Sequence, residues 1–398
     1  MSKFTKLPVI QVNSEIEKQI LKKHPWIYGN KISGFAKNAA PGKFYQIQNK
    51  EGKPICIGIF TPNELVGFRI YTLKENLNSI FQTLKERILQ KKLLFSITNS
   101  LRLIHGENDF YPGVTADLHN TTIVLRYNSM HLYRSARHLG FWLFKNIKNI
   151  FSNLQIDNLI LQIPNRGNHK LNFTKNRVLR GMIPDSIEIT YRGLSYTINP
   201  KLQKGGIYND IRNLRNYLLD NSQMLHGKIA LNLFSNNGLT SLCLEKIGYQ
   251  KIISLEDSNE CLQVAKSNLQ IPIHRIEKLD IFRNLDSYLQ HQNLGFDLIL
   301  IDPPSLTASE RDVPKAKNLY IRLVNSVLPY LQPNGFLIFA SCSARIHVNE
   351  LERIFKLYFA QNNHKIKKIT RLDPEIDHPT IPQFAEGQYF KVLIYQKK

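Results

Sequence analysis

The chain has 398 residues, more than one ordinary hydrophobic core accommodates, so two or three domains are expected. Its 53 Lys and Arg against 31 Asp and Glu leave a formal charge of +22, which calls for a polyanionic partner such as nucleic acid. Hydrophobic content of 42% is ordinary for a globular protein, no apolar run approaches a membrane span, and the opening MSKFTKLPVIQ lacks a signal peptide's apolar stretch, so a cytoplasmic protein with no membrane partner is expected.

In chain order, residues 1–75 read as short strands with turns: PGKFYQIQN, GKPICIGIF and LVGFRIYTL alternate between Gly, Pro and Asn punctuation. This predicts a small β-rich domain. Residues 77–95 are helical by period. Strands follow around LRLIHGEN, GVTADLH and TIVLRYN, then a long helix over 131–152 and a strand at NLILQIP, which makes 76–195 a central α+β domain. From 196 to 398, strands alternate with helices. The strands are KIALNLFS, KIISLED, HRIEKLD, FDLILID and GFLIFASC, with helices beginning near Leu239, Ser258 and Lys317. A helix over 347–361 and the strands KIKKITRL and YFKVLIYQKK complete the series. FDLILID and GFLIFASC are nearly continuous apolar runs, as in parallel strands buried on both faces. Seven strands with an antiparallel finish describe an α/β class I methyltransferase, a Rossmann-like sheet whose ligands lie beyond the carboxyl ends of its strands.

Those strand ends carry the candidate cofactor residues. The first strand ends at Phe234–Ser235, and the chain turns through Asn236, Asn237 and Gly238, where a glycine lets backbone approach a ligand. The second ends at Glu256, followed by Asp257, about where an acidic residue accepts from ribose hydroxyls. The third ends at Asp280, which can accept from an adenine amino group while Ile281 and Phe282 hold the ring.

The fourth strand runs into Asp302-Pro303-Pro304-Ser305, a turn stiffened because each proline locks its own φ and restricts its predecessor. Such a turn can aim a carboxylate and a backbone carbonyl at a planar base. The fifth strand ends at Ala340-Ser341-Cys342-Ser343, on the same rim. Cysteines 56, 243, 261 and 342 form no Cys-x-x-Cys pair and no zinc spacing, so neither a disulfide framework nor a metal site is expected. Cys56, Cys243 and Cys261 read as small buried residues, whereas Cys342 is placed to act as a nucleophile. Carbon 5 of cytosine is a poor nucleophile until a thiolate adds to carbon 6.

Taken together these runs resemble the bacterial 23S ribosomal RNA cytosine-carbon-5 methyltransferases, which join an N-terminal PUA domain, a central EEHEE domain and a C-terminal Rossmann methyltransferase. The resemblance covers nearly the whole chain. It rests on HPWIY at 24–28, RLIHGENDFYPGVTAD at 102–117, KGGIYNDIRNLR at 204–215, LNLFSNNG at 231–238, FDLILIDPPS at 296–305, SCS at 341–343 and DHPTIPQFAEGQYFK at 377–391. It implies S-adenosylmethionine as cofactor and 23S ribosomal RNA, or a large-subunit assembly particle, as partner. It implies an RNA-binding PUA module around His24-Pro25-Trp26 and Cys342 as nucleophile. Asp210, Arg212, Glu256, Asp280 and Asp302 would line the cofactor and base pockets. Trp26, Asp109 and Asp117 are expected to be structural. The chain departs from the family's pattern at Ile211, at Asn236–Leu239, at Glu256 in place of Asp, and at Ala344 in place of Gly.

Basic residues concentrate at Lys170, Lys175, Arg177 and Arg180, expected between the central strands and the methyltransferase domain, where RNA would lie with Pro304 on the base side. A second group, Lys365, Lys367 and Lys368, reads as a solvated strand edge. Two other functions fit the same residues: methylation of a different base position, such as a guanine ring nitrogen, and a cofactor-free RNA-binding or ribosome-assembly protein. Monomer and homodimer both remain open.

Overall fold

The computed structural model describes residues 7–398 except 75, 153, 168–169, 203–205, 271 and 308, and except the side chains of 165–167 and 170–174. The chain forms two compact units. The first holds the chain through Gly193 together with Ile376–Gly387; the second holds Leu194–Leu202, Gly206–Glu375 and Gln388–Lys398.

The first unit opens with β1 (Val9–Gln11), α1 (Ser14–Leu21), β2 (Trp26–Tyr28), α2 (Gly29–Ile32), β3 (Phe44–Gln48), β4 (Pro54–Phe60) and β5 (Val66–Thr72), whose strands pair in the order β1-β3-β4-β5-β2. In β3, Tyr45 and Ile47 are buried and their neighbours half-exposed, the period of two expected of a one-sided strand. Asn13 caps α1 by accepting from the Ile16 N–H at 3.0 Å, and Ile16 and Ile20, one turn apart, bury its inner face.

After α3 (Asn78–Gln90) comes a second sheet: β6 (Ser100–His105), β7 (Val114–His119), β8 (Thr122–Tyr127), β9 (Asn158–Gly167) and β10 (Lys170–Arg180), in the order β10-β9-β8-β7-β6. Only β8 and β9 are parallel, and α4 (Tyr133–Ile150) supplies the crossover such a pair requires. Gly140 lets α4 lie close to the sheet, because a Cβ there would come within 2.6 Å of Leu125 Cδ1. A short strand, β11 (Ile187–Tyr191), ends this part.

The run 102–117 is architectural. Arg102 and Asp117 face each other across β6 and β7, with Arg102 Nε donating to Asp117 Oδ1 at 2.8 Å and Arg126 donating to Oδ2. Burial alone raises the Asp117 carboxyl, but Arg102 and Arg126 outweigh it and hold it well below the usual carboxylate range. Asp109 accepts from Lys91 Nζ at 2.5 Å and from the His105 N–H at 2.7 Å. The segment Ile376–Gly387 packs into the same unit, where Asp377 Oδ2 accepts from the Arg102 N–H at 2.9 Å and the Phe384 ring lies 4.7 Å from that of Trp26. Trp26 Nε1 also donates to Glu107 at 2.9 Å.

Residues 170–180, expected between the central strands and the methyltransferase domain, form the edge strand β10, antiparallel to β9, whose outer backbone groups would otherwise lack partners. Lys175, Arg177 and Arg180 therefore project from a sheet edge, and the Lys170 side chain lies outside the described residues.

The second unit contains β12 (Leu194–Ile198), α5 (Arg212–Asp220), α6 (Ser222–Leu225), β13 (Ile229–Leu233), α7 (Leu239–Lys246), β14 (Lys251–Glu256), α8 (Asn259–Asn268), β15 (His274–Lys278), α9 (Ile281–Gln292), β16 (Phe296–Ile301), α10 (Val313–Val327), β17 (Leu331–Ser341), α11 (Val348–Gln361), β18 (Ile366–Leu372) and β19 (Lys391–Lys397). Seven of these strands form one sheet, β15-β14-β13-β16-β17-β19-β18. The first five are parallel, and β19 runs antiparallel to both β17 and β18. Leu298, Ile299, Leu300 and Ile301 are all fully buried, because helices cover both faces of the central strand.

Three boundaries differ from the sequence reading. The first parallel strand stops at Leu233, because Phe234 already has a φ of +58°. The third stops at Lys278, because Asp280 caps α9, a helix the sequence reading passed over. The helix expected at Lys317 starts at Val313, with Pro314 in its first turn, where its missing N–H leaves no bond unmade. Among the described residues no helix is long and apolar enough to cross a membrane.

Candidate active site

The parallel strands of the second unit deliver their carboxyl ends to one rim. Beyond β13 the chain makes a strained turn: Phe234, Asn236 and Gly238 have φ of +58°, +52° and +90°. Asparagine and glycine tolerate this region, but a bulky phenylalanine does so only when its surroundings hold it there. The holding contacts are specific. The Ser235 N–H donates to the Leu255 carbonyl at 3.0 Å, the Asn236 N–H to Glu256 Oε2 at 2.9 Å, and Asn237 Nδ2 to the Gly206 carbonyl. Tyr196 donates its hydroxyl to the Asn237 carbonyl. At Gly238 the missing Cβ faces α8 rather than open space, since a methyl there would meet Leu269 Cδ1 at 2.7 Å.

Glu256 ties this loop to the next one. Its Oε1 accepts from the N–H groups of Asp257 and Ser258, both at 2.9 Å, while Oε2 takes Asn236. A carboxylate offers about four lone-pair directions, so one remains for an external hydroxyl donor. The exposed Asp257 stands beside it. Ser235 is 6% exposed, and its Oγ has no hydrogen-bond partner among the described residues. Buried hydroxyls are seldom left so, and this orphan lies in the loop that Glu256 clamps.

Asp280 Oδ1 accepts from the Arg283 N–H at 3.2 Å, and its Oδ2 lies 3.4 Å from Arg283 Nε. Ile281 turns into the core, whereas the Phe282 ring packs 5.1 Å from that of Phe234. Asp210 and Arg212 are buried at the start of α5, with Asp210 Oδ2 accepting from Tyr389 at 2.9 Å.

The second half of the site joins the loops after β16 and β17. Cys342 Sγ lies 3.9 Å from the Pro303 carbonyl, so the Asp302-Pro303-Pro304 turn and the cysteine are brought together. Asp302 and Cys342 are half-buried, Pro303 is buried and Pro304 is exposed. The two loops are knitted by the Leu306 N–H donating to Ser343 Oγ at 3.3 Å and Arg345 Nη1 donating to the Thr307 carbonyl at 2.9 Å. Tyr320 reaches Ser343 Oγ at 2.7 Å and Ser341 Oγ at 3.0 Å. Thr307 Oγ1, buried in the same loop, has no partner.

Sequence reasoning missed Lys391 and Tyr208 here. Lys391 is buried, and its ammonium donates to the carbonyls of Ser343 at 2.6 Å and Ile346 at 2.5 Å. Burial lowers its pKa while Cys342 and then Glu350 raise it, for a net value of about 8. Burial also raises the Tyr208 phenol, helped by Asp210, Cys261, Cys342 and Asp302, so Tyr208 stays a neutral donor beside both loops. The only sequence signal for Lys391 was its place at the close of the 377–391 run.

Lys175, Arg177 and Arg180 belong to the first compact unit. Lys367 and Lys368 lie on the edge strand β18, Lys365 just before it, and Lys368 pairs with Glu352 at 2.7 Å. Among the described residues no group of three or more His, Cys, Asp or Glu is placed to hold a metal ion.

Residues 10–73 match the family model of the PUA-like domain. The chain is 26% identical over 394 residues to the "Ribosomal RNA large subunit methyltransferase I" of Yersinia pseudotuberculosis serotype O:1b (strain IP 31758), covering 94% of this chain and 96% of that one. The protein of the same name from Yersinia pestis matches to the same extent, 26% over 394 residues. Among solved structures, a chain from Streptococcus mutans described as a SAM-dependent methyltransferase superposes with a TM-score of 0.77 at 19% identity, covering 98% of this chain and all (100%) of that one. SMU.776, described as a methyltransferase and solved with SAH, gives 0.79 at 20% identity, covering 98% of this chain and 100% of its own. The chain thus shares the fold of these methyltransferases from end to end and resembles large-subunit ribosomal RNA methyltransferases in sequence.

Proposed function

We propose that this protein is an S-adenosylmethionine-dependent methyltransferase of large-subunit ribosomal RNA, and that it modifies carbon 5 of a cytosine in 23S RNA through a thiolate at Cys342. The observation that carries this reading is the 3.9 Å approach of Cys342 Sγ to the Pro303 carbonyl, at the carboxyl ends of neighbouring parallel strands. The similarity to ribosomal RNA methyltransferases supports the substrate class. The strand order supports a class I, Rossmann-like methyltransferase domain over 196–398, after a PUA-like domain at 1–75 and a central domain at 76–195. Cytoplasmic RNA, free or in an assembling large subunit, is then the partner.

The residues present fit the cofactor. Glu256 keeps an acceptor for a ribose hydroxyl, Asp257 offers a second, and Phe234 and Phe282 form an apolar flank for a planar ring. Ser235 supplies a hydroxyl that nothing among the described residues satisfies. Asp210 and Arg212 sit on the side of α5. When bound, S-adenosylmethionine supplies an electrophilic methyl at its sulfonium.

The remaining chemistry belongs to the chain. Lys391, a cation beside Cys342, favours the thiolate over the thiol. The thiolate adds to carbon 6 of the cytosine, forming the S–C6 bond and moving the ring's electron pair towards carbon 5. Asp302 holds the base edge near the ring nitrogen that gains charge, and the Pro303 carbonyl can accept from the exocyclic amine. Once carbon 5 is substituted, loss of its proton restores the C5–C6 double bond and expels the thiolate. Reaching this chemistry requires the base to leave its stack.

The test pairs two measurements. Cys342→Ala is expected to abolish methyl transfer to ribosomal RNA while calorimetry still shows cofactor binding. Nucleoside mass spectrometry of the wild-type product is expected to show 5-methylcytidine; a methylguanosine, or full activity in Cys342→Ala, overturns the thiolate mechanism.

A further inference from the structure

The first unit carries a surface that the methyltransferase site does not use. The 18 residues of α4 and the 11 of β10 include no Asp or Glu. On α4, Arg134, Arg137, Phe141, Lys145 and Lys148 are exposed and three or four residues apart, so they form one stripe along the solvent face, about 21 Å long at 1.5 Å per residue. Guanidiniums interleave with rings across the helix and the strand. Arg137 lies 5.7 Å from the Tyr133 centroid and 5.9 Å from that of Phe141; Arg177 of β10 lies 5.7 Å from the same Tyr133 ring, and Arg180 lies 4.7 Å from Phe144.

Among the described residues neither Arg137 nor Arg177 has a carboxylate partner. Two cations on one ring with no counter-charge repel each other, and an anion relieves that repulsion. Arg177 Nη1 donates to the Tyr133 hydroxyl at 2.5 Å, and with five N–H groups on each guanidinium, both arginines keep further donors for an anion. Beneath them Tyr127 is 2% exposed with an unpartnered hydroxyl, and its ring lies 6.1 Å from Tyr133. Phe141 is 40% exposed, a large apolar ring presented to solvent.

We propose that the face formed by α4 and β10 is a single-stranded RNA site, in which Arg137 and Arg177 take backbone phosphates and Phe141 stacks on a base. Paired cations and exposed rings match what single strands offer, a row of phosphates with accessible base faces. An acidic protein would satisfy the charges but not the stacking. The inference rests on the reading that the substrate is RNA, and it places an anchoring surface within the first compact unit.

The experiment measures anisotropy of a labelled, unstructured RNA oligonucleotide with the full-length protein over a series of salt concentrations. Arg137→Gln with Arg177→Gln is expected to weaken binding about tenfold or more and to make the salt dependence shallower by about 0.7 per lost phosphate contact. Phe141→Ala is expected to weaken binding about tenfold without changing that slope. Lys145→Glu, a fully solvent-facing change, gives the same answer should the double variant melt early. Calorimetric binding of S-adenosylmethionine is expected to stay at the wild-type value throughout. Folded variants that bind RNA with wild-type affinity and slope overturn the proposal, as does an acidic peptide that binds this face and is not displaced by RNA. A wild-type protein with no RNA affinity removes the RNA reading itself, whereas wild-type methylation with unaffected variants removes only this surface.

Discussion

Lys391 donates from its ammonium to the carbonyl of Ser343 at 2.6 Å, one residue past the cysteine that carries the proposed chemistry. Lys391 is the register partner of Ser341 in the β17–β19 pair, so the antiparallel end of the sheet delivers a buried cation to the loop of Cys342. Without it, two carbonyls in that loop lose a charged donor, a change of about 1.5–3 kcal/mol for each such bond. Lys391→Met is therefore expected to slow single-turnover methyl transfer by at least about tenfold while cofactor affinity stays within about threefold. Lys391→Arg should fall between the two. The lysine is charged below about pH 8 and loses its charge as pH rises through that value. The wild-type rate should accordingly bend downward near pH 8, and Lys391→Met should lack that bend.

A substrate analogue reports on the thiolate directly. RNA carrying 5-fluorocytidine at the target position has no proton to lose from carbon 5, and fluorine cannot leave as a cation. The S–C6 bond should persist as a complex resistant to denaturing electrophoresis, and Cys342→Ala should form none. Absence of the complex with a wild-type enzyme that methylates the unmodified RNA contradicts covalent attack by Cys342.

Ser235 and Glu256 separate binding from stability. Ser235→Ala removes a hydroxyl with no partner among the described residues, so the unfolding midpoint should hardly move. Cofactor affinity should nevertheless fall, by about 0.5–1.5 kcal/mol for one neutral hydrogen bond. Glu256→Gln replaces one carboxylate oxygen with an amide nitrogen, leaving at least one of the three N–H groups it serves without an acceptor. That variant should lose both cofactor affinity and about 1–3 kcal/mol of stability, read by denaturant unfolding with and without cofactor. Equal stability losses in the two variants would show that the Ser235 hydroxyl has a structural role.

Acid sensitivity should come from the first unit. His105 is buried, its Nδ1 lies 3.1 Å from Arg102 Nη1, and its ring lies 4.8 Å from that of His378. Burial, His378, Arg102 and Lys91 all lower its pKa well below 6.5, and Asp377 opposes them. A depressed histidine stays neutral in the folded protein while the unfolded chain takes up a proton below about 6.5. Its contribution is thus present above that pH and lost as the solution is acidified towards the folded value. The thermal midpoint should fall between about pH 7 and pH 5, and His105→Asn, which keeps an acceptor for Arg102 and cannot titrate, should flatten the decline. An unchanged pH profile in that variant assigns the acid sensitivity elsewhere.

Much of the site can be read along the chain because its parts are local. Glu256, Asp302 and Cys342 each follow a buried apolar run, and in an alternating strand–helix series the residue after such a run lies at the ligand rim. Other features depend on distant pairings. Lys391 acts on Ser343 because β19 aligns with β17, and Arg177 meets Tyr133 because β10 folds back along β9. Ile281 and Phe282 are adjacent apolar residues, and only the packing of α9 decides which enters the core and which faces Phe234. Asp377 lies 275 residues from Arg102 in sequence, yet the two are hydrogen-bonded. By itself the sequence determined the order of strands and which side chains stand at their ends, since burial patterns and turn residues act over a few positions. The tertiary structure decided which cation reaches Cys342, which hydroxyl is left without a partner and where the basic strand lies, because those depend on register and packing between segments that no local pattern encodes.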